Sequence, residues 1–144
     1  MLATVQRVSQ ASVIIENEEY SSIHEGILVF ICIEQQDCLE TSKEMAHKIF
    51  NFKMLDGSKG ITSLSLKNSD EEILIISQFT LAAITNKGSK PSFHKAAKPD
   101  DAKLLYDEFV GEFKKLSNKV KEGKFGAFMD CLLYTSPSPR DLRA

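Results

Sequence analysis

The sequence predicts a mixed α/β fold: a strand-rich mixed sheet partly covered by two helices. Three observations carry this. Residues 26–33 and 73–76 are continuously apolar, as strands covered on both faces are. Residues 39–51 and 99–117 repeat apolar side chains at spacings of three and four, the mark of an amphipathic helix. Each strand-rich segment precedes a helix, which favours helices packed on a sheet. At 144 residues, 42% hydrophobic and 26% charged, the chain has the size and composition of one domain with one real core.

In chain order, Val5, Val8, Val13 and Ile15 mark short β-branched runs split by a turn-like Ser9-Gln10-Ala11. Residues 26–33 follow as the first fully buried strand. The first helix places Leu39, Met45, Ala46, Ile49 and Phe50 on one face, with Asp37 or Thr41 available to cap its start. Asp56-Gly57-Ser58-Lys59-Gly60 is a turn by composition, and residues 61–66 alternate weakly as a short strand. Asn68-Ser69-Asp70 turns the chain into the second apolar strand, which ends in Ser77, Gln78, Phe79 and Thr80. Residues 85–98, with Gly88, Pro91 and four lysines, read as a long surface loop. Pro99-Asp100-Asp101 opens the second helix, where carboxylates suit the positive end of the helix dipole. Its apolar face is Ala102, Leu105, Phe109, Val110, Phe113 and Leu116, and a last strand is expected over residues 126–134.

Composition excludes several classes. No window approaches the roughly 18 uninterrupted apolar residues of a membrane span, and the N-terminal stretch alternates instead of forming an apolar leader core. The expectation is a soluble, cytoplasmic protein with no membrane partner. Cys32, Cys38 and Cys131 are odd in number and lack paired spacing, so neither a disulfide framework nor a zinc site is indicated, and no metal or organic cofactor is expected. Net charge is −2, unevenly spread: residues 1–82 hold 6 Lys/Arg against 12 Asp/Glu, while residues 83–124 hold 10 Lys against 6 acids. Lys87, Lys90, Lys95 and Lys98 concentrate this positive charge in one loop, either a solvated face or a rim that contacts phosphate.

Three stretches could carry chemistry. "ISQFTL" (residues 76–81) offers Ser77 or Thr80 as a nucleophile and Gln78 as an oxyanion donor, but neither hydroxyl has a base in its own motif. A strand end turning polar as it reaches solvent is the plainer reading. "KPSFH" (residues 90–94) combines cations with an aromatic ring, a pairing that can hold phosphates and stack bases. In "GKFGAFM" (residues 123–129), Gly126 sits between aromatic residues, where another backbone can approach closely, or where a turn leads into an edge strand.

Together and in this order, "VQRV" (5–8), "ASV" (11–13), "GILVFICIE" (26–34), "SQFTL" (77–81), "KPSFH", "LYDEFV" (105–110) and "GKFGAFM" resemble the D-aminoacyl-tRNA deacylase family over roughly residues 1–134. The spacing of "SQFTL" and "KPSF" is the most specific element. The resemblance implies that family's fold, a sheet or partly closed barrel in an α/β/β layering, and a cytoplasmic homodimeric hydrolase, with active sites at the subunit interface, that splits the ester between a D-amino acid, or glycine, and tRNA. It implies Thr80 and Gln78 as catalytic residues, with the substrate's ribose 2′-hydroxyl a competing source of assistance. It implies Ser77, Phe79, Arg7, Phe125, Gly126, Ala127 and Met129 as substrate-binding residues, and Lys87, Lys90 and Lys95 as tRNA contacts. An aminoacyl ester is already reactive, so positioning and oxyanion stabilisation can suffice without a strong nucleophile.

The family's pockets also use a Gly-Pro dipeptide, in an Asn-x-Gly-Pro-Val-Thr stretch, to exclude L-amino acids. Here that place reads Tyr134-Thr135-Ser136-Pro137-Ser138-Pro139-Arg140, so the gate does not carry over. Residues 1–134 are therefore expected to form the domain and 135–144 a non-native or divergent Ser/Pro tail. The alternative function is a tRNA-binding protein that keeps the fold without editing, and a third is a hydrolase using Ser77 and His94.

Overall fold

The spine of the sheet is β1 (Leu2–Ile15), and the computed structural model describes residues 1–135 around it. β2 (Glu18–Ile23) and β3 (Gly26–Cys32) lie end to end along one edge of β1, both antiparallel to it. The register carries over from β3 to β2, Val8 opposing Gly26 and Ala11 opposing Ile23, and slips by one residue only between Val13 and Ile14. The other edge of β1 takes β8 (Asp130–Thr135). β3 continues the sheet in parallel to β6 (Glu72–Ser77), and β6 pairs in parallel with β7 (Val120–Glu122). Ser21 of β2 donates its hydroxyl hydrogen to the Glu122 carbonyl at 3.0 Å, drawing the curled sheet towards closure. α1 (Leu39–Asn51) and α2 (Pro99–Leu116) pack on the sheet, and β4 (Lys53–Gly57) with β5 (Gly60–Ser65) forms a separate antiparallel ribbon. Among the described residues, no helix is long and apolar enough to cross a membrane.

The turn expected at Ser9-Gln10-Ala11 is not there. β1 runs through it, and its register against β8 slips from Val8–Thr135 to Gln10–Tyr134, leaving Ser9 as an extra residue. Such a bulge bends a strand and changes which residues face which side. Ala3 and Val5 pack towards the helices and Val8, by ordinary alternation, the other way; beyond the bulge the odd-numbered Ala11 and Val13 join Val8 in a second core. Ser9-Gln10 thus resembles a turn in composition because the pairing is disturbed there.

The continuous apolar runs serve both cores. Ile27, Val29, Ile31, Ile73 and Ile75 face Phe109 and Phe113 of α2 in the helical core. Leu28, Leu74 and Ile76 point the other way, into the curl of the sheet. Fully burying each of these side chains contributes about 1.5–3 kcal/mol.

Both helices form where their periodicity places them, with local corrections. α1 starts at Cys38, whose N–H donates to the Thr41 hydroxyl at 3.1 Å. Asp37 is diverted: one carboxylate oxygen accepts from the Met1 ammonium and the other from the Glu34 N–H, each at 2.8 Å. Leu39 is exposed, while Ser42 is buried and donates to the Leu105 carbonyl at 2.8 Å. In α2, Tyr106 joins the core and Leu116 stays half-buried. β2, β4 and β7 lie outside the expected elements, and the last strand begins at Asp130 instead of 126. Thr135 closes β8; the remainder of the proposed Ser/Pro tail lies outside the described residues.

Candidate functional site

β3 and β6 run parallel, so their C-terminal ends emerge side by side. The Gln78 N–H donates to the Ile31 carbonyl at 2.8 Å as a last rung, and the chain then tightens into one 3-10 turn over Phe79–Ala82. The Phe79 and Thr80 N–H groups open that turn and have no acceptor within it. Beside them lies a cavity of about 720 Å³. Ser77, Gln78 and Phe79 supply one wall, and Phe125, Gly126, Ala127 and Met129 supply another. Phe30 and Ile76 extend it into the second core, so this cavity is the open end of the sheet's curl.

Ring contacts fix the walls. Phe79 meets Phe93 edge-on with centroids 5.2 Å apart, and Phe125 lies 5.5 Å from Tyr106. The Cys32 thiol reaches the Phe79 carbonyl at 3.6 Å. Gly126 has φ of 78°, a left-handed conformation that lets the second wall turn where a side chain would strain it.

The lining is mainly apolar, with polar groups concentrated at Ser77 and Gln78. Burial pushes the Cys131 thiol at the cavity and the Cys32 thiol beneath Phe79 up, keeping both protonated and poor nucleophiles. The Cys38 thiol is lowered, chiefly by hydrogen bonding with Thr41, but it belongs to the start of α1 and does not line the cavity. The Gln78 carboxamide donates to the Thr80 hydroxyl oxygen, and Thr80 itself is exposed at the rim without lining the cavity. The His94 ring meets the Ser92 hydroxyl at 2.9 Å and is not hydrogen-bonded to Ser77, so the Ser77–His94 hydrolase arrangement is not formed.

Arg7, expected near the pocket mouth, does not line this cavity. It precedes the bulge in β1, on the same face as Ala3 and Val5, and its guanidinium lies 3.0 Å from the Asp56 carboxylate. The Thr62 N–H, then Arg7, hold that carboxyl below its usual range. Lys87, Lys90 and Lys95 are exposed on the loop that also delivers Phe93, Ala96 and Ala97 to the cavity. Reciprocal hydrogen bonds between Ile84 and Ser92, at 2.8 and 3.0 Å, pinch that loop, and the Gln35 N–H holds the Lys95 carbonyl at 3.0 Å. Sequence reasoning flagged Phe93 within "KPSFH" but missed Phe30, Ala96 and Ala97, which carry no local signal.

The family model described as D-Tyr-tRNA(Tyr) deacylase matches residues 4–136. The D-aminoacyl-tRNA deacylase of Francisella tularensis subsp. novicida (strain U112) is 40% identical over 129 residues, spanning 90% of this chain and 89% of that protein. Among solved structures, a c-Myc DNA Unwinding Element Binding Protein superposes with a TM-score of 0.86 at 36% identity, covering 92% of this chain and 90% of the other. A probable eukaryotic D-amino acid tRNA deacylase superposes with a TM-score of 0.83 at 17% identity, covering 92% of each chain, and so shares the fold.

Proposed function

Because the chain belongs to the D-Tyr-tRNA(Tyr) deacylase family, we propose that it hydrolyses the ester joining a D-amino acid to the terminal ribose of tRNA. The observation that carries this reading is the cavity at the end of β6, apolar enough to receive an aminoacyl group and edged by the Ser77–Thr80 polar cluster. Water adds to the ester carbonyl carbon, the bond to the ribose oxygen breaks, and that oxygen takes the proton. The opening amides of the 3-10 turn at Phe79 and Thr80, with Gln78, stabilise the developing oxyanion. Thr80 orients Gln78, and the substrate's 2′-hydroxyl supplies the assistance that no neighbouring base offers.

In this reading Ser77, Phe79, Phe125, Gly126, Ala127 and Met129 hold the acyl group and its ribose, and Lys87, Lys90 and Lys95 meet tRNA phosphates. Arg7 stays with Asp56 and is left out of the substrate contacts. Glycyl-tRNA is a second substrate, since the smallest acyl group also fits. Phe128, 89% exposed beside the second wall, and the exposed Leu132, Leu133 and Tyr134 of the following β8 favour a homodimer that covers them. A cytoplasmic location follows from acting on aminoacyl-tRNA.

The test is a time course of D-Tyr-tRNA and L-Tyr-tRNA hydrolysis. The D-ester should disappear well above its spontaneous rate, and a segment supplying Gly-Pro after β8 should slow the L-ester selectively. A D-ester rate equal to the spontaneous one overturns the reading. Salt-dependent tRNA binding with no cleavage would instead support a non-editing binding protein.

A further inference from the structure

Tyr106 is only 1% exposed and does not line the cavity, yet it touches the supports of both walls. Its hydroxyl donates to the Ile75 carbonyl at 3.2 Å, two residues before Ser77 on β6. The same carbonyl accepts the Gly123 N–H at 2.9 Å, where the segment bearing the second wall begins. The Tyr106 ring lies against Phe125, with the ring planes tilted by 43°. Gly123 completes the joint, because a Cβ there would stand 2.8 Å from the Met129 sulfur and 3.5 Å from Ile76 Cγ1. The bare backbone therefore lets Met129 settle against the strand.

We propose that Tyr106 is a positioning residue that sets the separation of the two cavity walls, and so the fit of the acyl group of a D-aminoacyl ester. The phenol does this in two ways: the hydroxyl ties α2 to the strand that ends in Ser77 and Gln78, and the ring backs Phe125. Phenylalanine at this position keeps the ring and loses the tie, whose carbonyl still holds Gly123. Leucine loses both, and Phe125 is free to retreat. This inference rests on the ester-hydrolase reading for its substrate but not for its geometry.

The experiment compares full-length wild type, Tyr106→Phe and Tyr106→Leu in D-Tyr-tRNA hydrolysis and in methyl NMR of ¹³C-methionine protein. Tyr106→Leu should raise KM about tenfold while leaving kcat of the folded fraction within about twofold, and Tyr106→Phe should stay within about threefold in KM. The Met129 methyl resonance should move in Tyr106→Leu and remain near its wild-type position in Tyr106→Phe. A role in stability alone would lower the folded fraction and leave KM and that resonance unchanged, which overturns the proposal. Should Tyr106→Leu fail to fold, Tyr106→Met, which also removes the ring but leaves a more adaptable side chain in its place, must produce the same two shifts. If wild type hydrolyses no ester, the function reading fails, and the Met129 resonance still decides whether Tyr106 positions the wall.

Discussion

The carboxamide nitrogen of Gln78 donates a hydrogen bond to the hydroxyl oxygen of Thr80, two residues further along. The hydroxyl is thereby an acceptor, and among the described residues no base receives its proton. Thr80→Ala should therefore keep kcat within about tenfold, where loss of a true nucleophile costs roughly 10,000-fold or more. Gln78→Ala should cost more, roughly 100-fold, by removing an oxyanion donor. Steady-state kinetics on D-Tyr-tRNA separates these outcomes, and a collapse of Thr80→Ala to the uncatalysed rate would restore the nucleophile assignment.

Two glycines should respond differently to alanine. At Gly26 a Cβ would lie 1.9 Å from the Glu72 carbonyl oxygen, inside the parallel pairing of β3 with β6. Gly26→Ala must push the strands apart and should cost about 3 kcal/mol. At Gly126 a Cβ meets nothing within 4 Å, and only the left-handed backbone is penalised, at about 1–2 kcal/mol. Urea titration of both variants checks the order, and equal losses would refute it.

The Met1 ammonium lies 2.8 Å from both the Glu34 and Asp37 carboxylates. Burial, the largest single influence, lowers its pKa, but the hydrogen bonds and charges of Asp37 and Glu34 together outweigh it and hold the group above its usual 8.0. A group raised on folding contributes its full stability below the unfolded value and loses it as pH climbs through the folded one. The thermal midpoint should thus lose this contribution above about pH 8, and Asp37→Asn should flatten the decline. Parallel alkaline slopes in the two proteins would remove the ion pair from the account.

Lys87, Lys90 and Lys95 make no ion pair with any described residue. Replacing any one with glutamine should reduce the slope of log affinity against log salt for tRNA by about 0.7 per lost phosphate contact. Hydrolysis of a D-aminoacyl-adenosine, which lacks the tRNA body, should not change. An unaltered salt slope would return these lysines to the solvated surface.

Where one residue's pattern reflects one environment, the sequence is readable. Ile73 to Ile76 read as a covered strand because each side of it meets a core, and Phe109 and Phe113 mark the buried face of α2. Ser9-Gln10 misleads because polarity from a bulge and polarity from a turn are alike in one dimension. β2, with Glu18, Glu19 and Tyr20 exposed, is held by pairing to β1 more than by burial, so it carries little hydrophobic signal. At the site, "SQF" and "FGAFM" announce two walls, yet Phe30, Ala96 and Ala97 come from elements whose own spacing says nothing of a cavity. Arg7 lies upstream of the bulge and takes the same face as Ala3 and Val5, an alternation that is legible once β1 is known to be one strand.

The alignment of β2 and β3 along one edge of β1 also bears on how the chain folds. Residues 2–32 form one long hairpin that reverses at Glu16-Asn17, so its loop-closure cost is small beside those of the β1–β8 and β3–β6 pairings and this ribbon can form early. The parallel pairing of β3 with β6 must await the chain through α1, β4 and β5. Val13→Ala should consequently slow refolding, whereas Val110→Ala in α2 should chiefly speed unfolding in a stopped-flow denaturant series. The cavity, formed where β6 completes the sheet, would then be among the last features to assemble, after a scaffold that is already paired.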